Sequence, residues 1–403
     1  METQKTFHKN IFIGIENALR VIFTENKYAD KVIEKLLKSN RQWGSRDRKL
    51  IAESVYEIVR WKRRLEFAAN ISPNNPLYFW HLIGCHLAQK EDMIPYWPEF
   101  KDLDLKQCVK RYNSENVDFA IKESIPDWMN EIGLSLLPNI WEKEIKAMNL
   151  TASVVLRVNT LKISVSELQK IFAKNNIACE NVTNIPNALV LQKRINVFTL
   201  PEFHEGLFEI QDGGSQLIAP FLDIKEGMRV VDACAGAGGK SLHIASILKN
   251  SGKIISLDTE AWKLDELKKR AKRGGISNIE THHIDNSKVI KRLYNTADRL
   301  LLDVPCSGIG VLKRNPDAKW KINPKFIEEV QIKQASILSE YAPIVKPGGM
   351  LVYATCSILP IENEKQVQQF LEKNIDYQLV KQQHIYPSEG YDGYYMSLIL
   401  RNK

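Results

Sequence analysis

The chain has 403 residues, enough for two or three domains, and its 44% hydrophobic and 26% charged content is typical of a folded globular protein. Its formal net charge of +8 favours an anionic partner. Six cysteines without Cys-x-x-Cys spacing argue against a bound metal such as zinc and against a disulfide framework. We see no apolar signal segment and no run long enough to cross a membrane, so we expect a cytoplasmic protein with reduced thiols.

The first 150 residues are predicted to be helical. Apolar residues such as Ile51, Val55 and Ile58 recur at helical spacing after a possible cap at Ser45. Residues 31–64 hold eleven Lys and Arg against four acids. Such a segment either binds phosphates or forms a solvated helix face, and its aromatic residues belong either to the core or to a stacking surface. The sequence leaves both questions open.

A small α/β unit is predicted next, over residues 151–206. Its elements are a strand at 154–159, a helix at 165–175 and a strand at 188–191. Residues 208–216 then join it to the last part of the chain. From 207 to 403 strands and helices alternate, which is typical of a mostly parallel sheet with right-handed crossovers.

A glycine loop at 234–240 lies between a predicted strand and a predicted helix, where backbone N–H groups can approach a ligand closely. Three kinds of nucleotide site compete for it. A P-loop would need glycine at Cys234, and a dinucleotide fingerprint would need glycine at Ser241, so neither phosphate motif is complete. The third kind, an adenosyl cofactor of methyl transfer, needs only a glycine turn and an acid for its ribose.

Acids follow the next two predicted strands. Asp258 lies about 20 residues past the glycines, where a carboxylate can accept ribose hydroxyls, and Asp285 is suitably placed for an adenine amine. Either Asp could instead cap a helix. The series as a whole favours S-adenosylmethionine.

Two cysteines, Cys306 and Cys356, follow two continuously apolar segments that are predicted to be buried parallel strands. Ligands of open α/β sheets bind outside the carboxyl ends of the strands, and Asp303 shares the first of these positions. Buried cysteines often serve only packing. Two at equivalent positions beside an acid favour thiol chemistry next to a bound nucleoside, whereas Cys85, Cys108 and Cys179 are predicted to be packing residues.

Three further elements complete the predicted catalytic region. A basic, aromatic loop at 314–320 is expected to meet the ligand, although an ordinary surface loop would have the same composition. The longest helix is predicted at 324–345. A final strand at 396–400 is expected to return antiparallel and close the sheet.

Together these segments resemble the RNA cytosine-5 methyltransferases, in particular the branch of ribosomal RNA small-subunit methyltransferase B. The resemblance extends over residues 206–403, with weaker similarity nearly to the N-terminus. The residues that carry it are 234–240, 303–308, 314–320, 346–349, 353–357 and 362–364. One departure is Ala237, where bacterial members usually carry proline.

The resemblance implies a class I methyltransferase Rossmann-like domain at 207–403, preceded by a helical RNA-binding domain at 1–150 and an RNA-recognition-like subdomain at 151–206. It implies an RNA partner, and we expect a monomer. It implies Cys356 as the nucleophile and Cys306 as its assistant, while Asp303 and Lys240 are our candidates for aiding addition to the base. The implied ligands of S-adenosylmethionine are Cys234, Ala235, Gly236, Ala237, Gly238, Gly239, Lys240, Asp258, Asp285 and Asp303.

We therefore predict a methyl transfer to C5 of a cytosine in RNA. Among the RNA substrates, we rank ribosomal RNA first, because of the resemblance alone. Methylation of transfer RNA or DNA would share the mechanism, and a non-catalytic RNA-binding assembly factor remains an alternative. Retention of both Cys306 and Cys356 argues against that last alternative.

Overall fold

A computed structural model describes residues 8–90 and 94–403, which divide into two compact units. One consists of Met1–Asn149 with Leu312–Pro324, and the other of Leu150–Val311 with Lys325–Lys403. Within the described ranges no helix combines the length and the apolar character needed to cross a membrane. Division of the chain into domains at 1–150, 151–206 and 207–403 stays a prediction.

The first unit is helical, as predicted. Its helices are α1 Lys9–Thr24, α2 Ala29–Ser39, α3 Ser45–Arg60, α4 Lys62–Ala69, α5 Tyr78–Gln89, α6 Leu105–Tyr112, α7 Phe119–Lys122, α8 Asp127–Leu136 and α9 Trp141–Met148. Ile51, Val55 and Ile58 of the predicted apolar stripe of α3 are fully buried in its core, and Leu50, at the start of the stripe, is partly buried. Trp43 also packs there, so this aromatic residue of the basic segment is a core residue.

Several arginines of the basic segment serve the fold of this unit. Arg48 donates to the Trp43 and Asn40 carbonyls at 2.9 Å, and Arg64 donates to the Tyr112 carbonyl at 2.8 Å. These side chains bind carbonyl groups at the ends of α2 and α6 and in the loop before α3. The exposed basic residues of the segment are Lys31, Lys35, Lys38, Arg41, Arg46 and Lys49.

The loop after Cys306 differs from its prediction. Leu312–Pro324 packs into the helical unit, where Lys319 is 2% exposed and donates to the Arg60 carbonyl at 2.7 Å. Asp317 accepts from the Ala29 N–H at 3.0 Å, and the Trp320 indole donates to the Val59 carbonyl at 2.7 Å. Lys319 and Asp317 are therefore buried structural residues, which contradicts contact of these two side chains with RNA, and contact by the rest of the loop at 314–320 stays a prediction.

The second unit begins with a four-stranded antiparallel sheet in the order β2-β3-β1-β4. Its elements are β1 Val155–Val158, α10 Val165–Lys174, β2 Cys179–Val182, β3 Ile185–Leu191, α11 Pro201–His204 and β4 Phe208–Ile210. The predicted strands and helix of this region correspond to β1, β3 and α10. The segment predicted as a join contributes β4, which pairs with β1.

The main sheet has seven strands in the order β10-β11-β9-β8-β5-β6-β7. Strands β5 to β9 run parallel, and β10 and β11 are antiparallel, which confirms the mostly parallel α/β fold. The elements are α12 Gly213–Phe221, β5 Arg229–Asp232, α13 Gly239–Ile247, β6 Lys253–Asp258, α14 Ala261–Gly274, β7 Ile279–His283, α15 Ser287–Lys291, β8 Ala297–Asp303, α16 Pro324–Tyr341, β9 Val345–Thr355, α17 Glu364–Lys373, β10 Tyr377–Ile385 and β11 Tyr394–Arg401.

Both faces of this sheet are covered, which is why its central strands read as continuous apolar runs. Leu300 and Leu302 of β8 enter one core, and Leu301 enters the other. The final strand β11 is antiparallel, as predicted, but it lies between β9 and β10 and does not form the edge. β10 forms that edge. The result is a sheet whose parallel strands all end at one rim.

Candidate active site

The two predicted catalytic loops leave neighbouring strands at the same rim of the sheet. β8 ends at Asp303, which pairs in register with Ala354 near the end of β9. The Val304 N–H continues this pairing by donating to the Ala354 carbonyl at 3.0 Å. Because both strands end together, Cys306 and Cys356 emerge side by side.

The Sγ atoms of Cys306 and Cys356 lie 3.2 Å apart, and both residues are partly exposed. Gly310 donates its N–H to the Cys356 carbonyl at 3.0 Å. A Cβ at position 310 would lie 2.3 Å from the Gly393 carbonyl oxygen, so only glycine allows this approach. The hydrogen bond to Cys356, together with burial, raises the pKa of Cys306 well above its ordinary value. Cys306 therefore keeps its proton at neutral pH.

An ion pair lies beside the thiols. Lys240, in the first turn of α13, places Nζ 2.5 Å from Asp303 Oδ2. Burial alone would lower the pKa of Lys240, but the Asp303 charge and hydrogen bond, with Cys356, raise it above its ordinary value. Lys240 is therefore a cation at neutral pH. Its Nζ also lies 6.0 Å from the centre of the Tyr394 ring.

The glycine loop turns between β5 and α13 at positions that require glycine. Gly236 and Gly238 have φ of +54° and +87°, and a Cβ at Gly238 would lie 2.4 Å from Leu267 Cγ. Asp258 at the end of β6 accepts the Gly236 N–H at 2.8 Å and the Glu260 N–H at 2.9 Å. Asp258, which is predicted to bind the ribose of the cofactor, therefore also holds the backbone of the glycine loop in place.

The other predicted cofactor residues lie in different environments. The Ala235 side chain packs against Leu267 in a small core, and the Ala237 carbonyl accepts from Arg270 at 2.7 Å. Cys234 is half-buried, and burial raises its pKa well above the ordinary value. Asp285 is exposed two positions after β7.

Comparisons with known proteins match both parts of the second unit. Residues 219–394 match the model of the family described as 16S rRNA methyltransferase RsmB/F. Residues 125–198 match the ferredoxin-like domain of RsmF/B-like methyltransferases, a match that begins before the boundary predicted at 151. The probable ribosomal RNA small subunit methyltransferase B of Synechocystis sp. is 30% identical over 398 residues, covering 89% of this chain and 88% of that protein.

This chain belongs to the ribosomal RNA small subunit methyltransferase B family. The Vibrio vulnificus member is 29% identical and covers 88% of this chain, which spans 92% of that protein. The crystal structure of PH0851 has the same fold, with a TM-score of 0.83 at 23% identity over 99% of this chain and 100% of that one. A methyltransferase homologue from Pyrococcus horikoshii has a TM-score of 0.63 at 27% identity, covering 71% of this chain and 98% of that one.

As a member of this family the chain is an RNA methyltransferase, and S-adenosyl-L-methionine is its cofactor. The loop fits such a ligand, because a Cβ at Gly236 or Gly239 would meet no atom within 4 Å. Open space therefore borders the backbone beside the Asp258 carboxylate. The glycine loop and Asp258 are the groups that would hold an adenosyl moiety, and the roles of the individual residues stay predictions.

The structure adds residues that the sequence did not assign to the site. Arg157 of β1 is buried and donates to the Gly239 carbonyl at 2.6 Å, so two arginines, with Arg270, bind carbonyls of the glycine loop. No local motif marks Arg157, because its partner lies far along the chain. Glu362 and Asn363 are fully buried behind the two cysteines. Their only signal in the sequence is the run 362–364 that carries part of the resemblance.

Proposed function

We propose that this chain transfers a methyl group to C5 of a cytosine in RNA through a transient bond between Cys356 Sγ and C6. The observation that carries the proposal is the contact of two partly exposed thiols, 3.2 Å apart, at the carboxyl ends of β8 and β9. When bound, S-adenosyl-L-methionine supplies an electrophilic methyl group.

Aromatic C5 is a weak nucleophile, which explains the use of a thiol. Addition of the Cys356 thiolate to C6 pushes electron density onto C5, so that one difficult step becomes two easier ones. A hydrogen bond at N3 of the base assists that addition. The Lys240–Asp303 pair is next to the thiols and holds a proton on Lys240, which supports a role there.

Release of the product requires transfer of the C5 proton to a base, for which solvent water can serve at this partly exposed rim, and cleavage of the bond between C6 and Cys356 Sγ, whose electron pair returns to the sulfur. A leaving thiolate departs more easily when a donor hydrogen-bonds to it. Cys306 keeps its proton and touches Cys356, which supports its role as that donor.

We propose ribosomal RNA as the substrate, since the relatives carry that name, and exposed lysines and arginines of α2 and α3 can contact phosphates. The target base must be unpaired or flipped out for a thiol to reach C6. We also propose that the protein acts as a monomer in the cytoplasm, where thiols stay reduced.

The test is methyl transfer from labelled cofactor to small-subunit ribosomal RNA, transfer RNA and DNA, followed by digestion to nucleosides. We expect the label in 5-methylcytidine from ribosomal RNA, and none with Cys356→Ala. Bisulfite sequencing of RNA from cells with and without the protein identifies the cytosine. Label in another nucleoside would contradict the C5 proposal, and preferred labelling of transfer RNA or DNA would contradict the substrate.

A further inference from the structure

Glu362 is a fully buried carboxylate that joins the two cysteine loops. It ends the short 3-10 turn Pro360–Glu362, which follows β9, and it is 0% exposed. Each of its two carboxylate oxygens accepts two hydrogen bonds. Ser307 Oγ and Ser357 Oγ donate to Oε1 at 2.5 and 2.7 Å, and the Ser307 N–H and Gln334 Nε2 donate to Oε2 at 2.7 and 3.2 Å.

The partners of Glu362 are the immediate neighbours of the thiols. Ser307 follows Cys306, and Ser357 follows Cys356. Gln334 of α16 completes the link, because its amide also donates to the carbonyl of Pro305 at 2.9 Å, just before Cys306. One carboxylate therefore binds both loops whose sulfur atoms are 3.2 Å apart.

The donor set fixes the charge of this group. A carboxyl group can accept hydrogen bonds from all four donors only when it is ionised. In a protonated carboxyl group the O–H would point at one of the surrounding donors, and that hydrogen bond would be lost. All four donors are neutral groups, so the site keeps a net negative charge. After the hydrogen bond to Cys356, burial and the charge of Cys356, the Glu362 charge further raises the pKa of Cys306.

We infer that Glu362 is a positioning residue that sets the spacing of the two thiols. This inference deepens the proposed function and rests on it for its catalytic meaning. Asn363 supports one side alone, since it accepts from Thr355 Oγ1 at 2.5 Å and donates to the Ser357 carbonyl at 2.9 Å. Glu362 thus couples the loops, and Asn363 shapes only the loop of Cys356.

Glu362→Gln tests the inference, because it keeps the shape but turns one acceptor into a donor that faces other donors. Glu364→Gln is the matched control. It makes the same change two positions away, in a side chain whose Oε2 lies 3.4 Å from His384 Nε2 and which, among the described residues, forms no hydrogen bond or ion pair with either cysteine loop. Thermal melting of both variants measures any general loss of stability.

The first readout needs neither RNA nor cofactor. Diamide takes two electrons and two protons from a pair of touching thiols, leaving a disulfide and the hydrazine form of the reagent. In the wild type and in Glu364→Gln we expect a rapid Cys306–Cys356 disulfide, identified by peptide mass spectrometry. In Glu362→Gln its formation should slow by about tenfold or more, since proximity governs the rate.

The second readout is turnover. Glu362→Gln should lower kcat by about 100-fold with an unchanged KM for RNA, because a displacement of about 1 Å has that effect on catalysis. The pH profile of kcat should also shift, which loss of stability alone would not cause. Where Glu362→Gln does not fold, Ser307→Ala and Ser357→Ala remove one link each and should slow the disulfide step in the same direction.

Disulfide formation at the wild-type rate in Glu362→Gln, or in both serine variants, would overturn the inference, as would a wild-type protein that forms no such disulfide. The proposed function fails separately, by the absence of 5-methylcytidine. A slowed disulfide in a protein that does not methylate cytosine would leave Glu362 as the positioning residue of a thiol pair with another use.

Discussion

Two pairs of cysteines in this chain contact each other, yet their surroundings differ. Cys85 and Cys108 share a hydrogen bond in the helical core, where they are 0% and 1% exposed. The hydrogen bond with Cys108, and then burial, raise the pKa of Cys85. The pair formed by Cys306 and Cys356 is partly exposed at a sheet rim. Contact between thiols is thus not enough for chemistry, which also requires access and nearby charge.

The prediction that Cys85 and Cys108 are packing residues is confirmed, since both belong to the apolar core of the helical unit. Thiol reactivity depends on thiolate character and exposure, and burial in the core denies exposure to both cysteines. At the sheet rim, by contrast, the Lys240–Asp303 pair lies next to the thiols.

The strongest test of the difference between the two cysteine pairs is to remove one thiol from each pair. Cys356→Ala should lower the methylation rate by about 10⁴-fold or more, because it removes the nucleophile itself. Cys108→Ala should keep the rate within about twofold, because a core residue acts on stability. Single-turnover methylation measures both. Equal losses in the two variants would refute the distinction.

Removal of the second rim thiol should give a different failure. Cys306→Ala should slow turnover by about 10²- to 10⁴-fold, the usual range for loss of an acid–base group, while the bond between Cys356 and the base persists. A protein–RNA adduct should then be seen on a denaturing gel. Normal turnover without an adduct would mean that Cys306 does not assist release.

The charge beside the rim thiols can be tested separately. Lys240→Gln should lower kcat by about 100-fold, because a preorganised cation close to the reacting base is lost. Lys249→Gln is the control, since Lys249 is exposed and pairs with Glu226 at 2.6 Å. Steady-state methylation at saturating RNA and cofactor compares them, and equal activity would remove Lys240 from the mechanism.

Access distinguishes the pairs without any assay of methylation. N-ethylmaleimide should label Cys356 about 100-fold faster than Cys85 and Cys108, whose labelling requires local unfolding of the helical core. Peptide mass spectrometry after short exposure measures the rates. Unfolding in denaturant should abolish the difference, and equal labelling of the folded protein would contradict it.

The smallest predicted effect concerns a buried acid at the same rim. Burial raises the pKa of Asp232 to about 7, against the opposing hydrogen bond from Ser241. The folded state then holds a proton that the unfolded chain loses near pH 4, so the contribution of Asp232 to stability is full below pH 4 and is lost as the pH rises through about 7.

Urea unfolding should therefore show a loss of about 2 kcal/mol between about pH 5.5 and 7.5, since one pKa unit corresponds to about 1.4 kcal/mol. Asp232→Asn cannot titrate and should lack this part of the pH dependence. If the free energy of unfolding of the wild type instead rose over this pH range relative to that of Asp232→Asn, the predicted direction of the Asp232 pKa shift would be wrong.

Most of the parallel sheet could be predicted because its strands are buried on both faces. β8 and β9 form continuous apolar runs that can be recognised as buried strands. Because parallel strands end at the same edge of a sheet, the acid and the cysteines that follow them can be predicted to lie close together. β10 was missed because it is a largely exposed edge strand, in which polar residues such as Gln382 and Gln383 follow one another. β4 was missed because three residues carry too little pattern.

The sequence by itself determined the glycine turn, the series of acids and the positions of two thiols, because each is encoded in a short stretch beside a strong strand. Only the tertiary structure decided the contacts made across long chain separations. It brought Arg157 to the glycine loop, buried Lys319 in the helical unit and set Glu362 between the cysteine loops. Such hydrogen bonds depend on where distant segments meet, and no local periodicity records that.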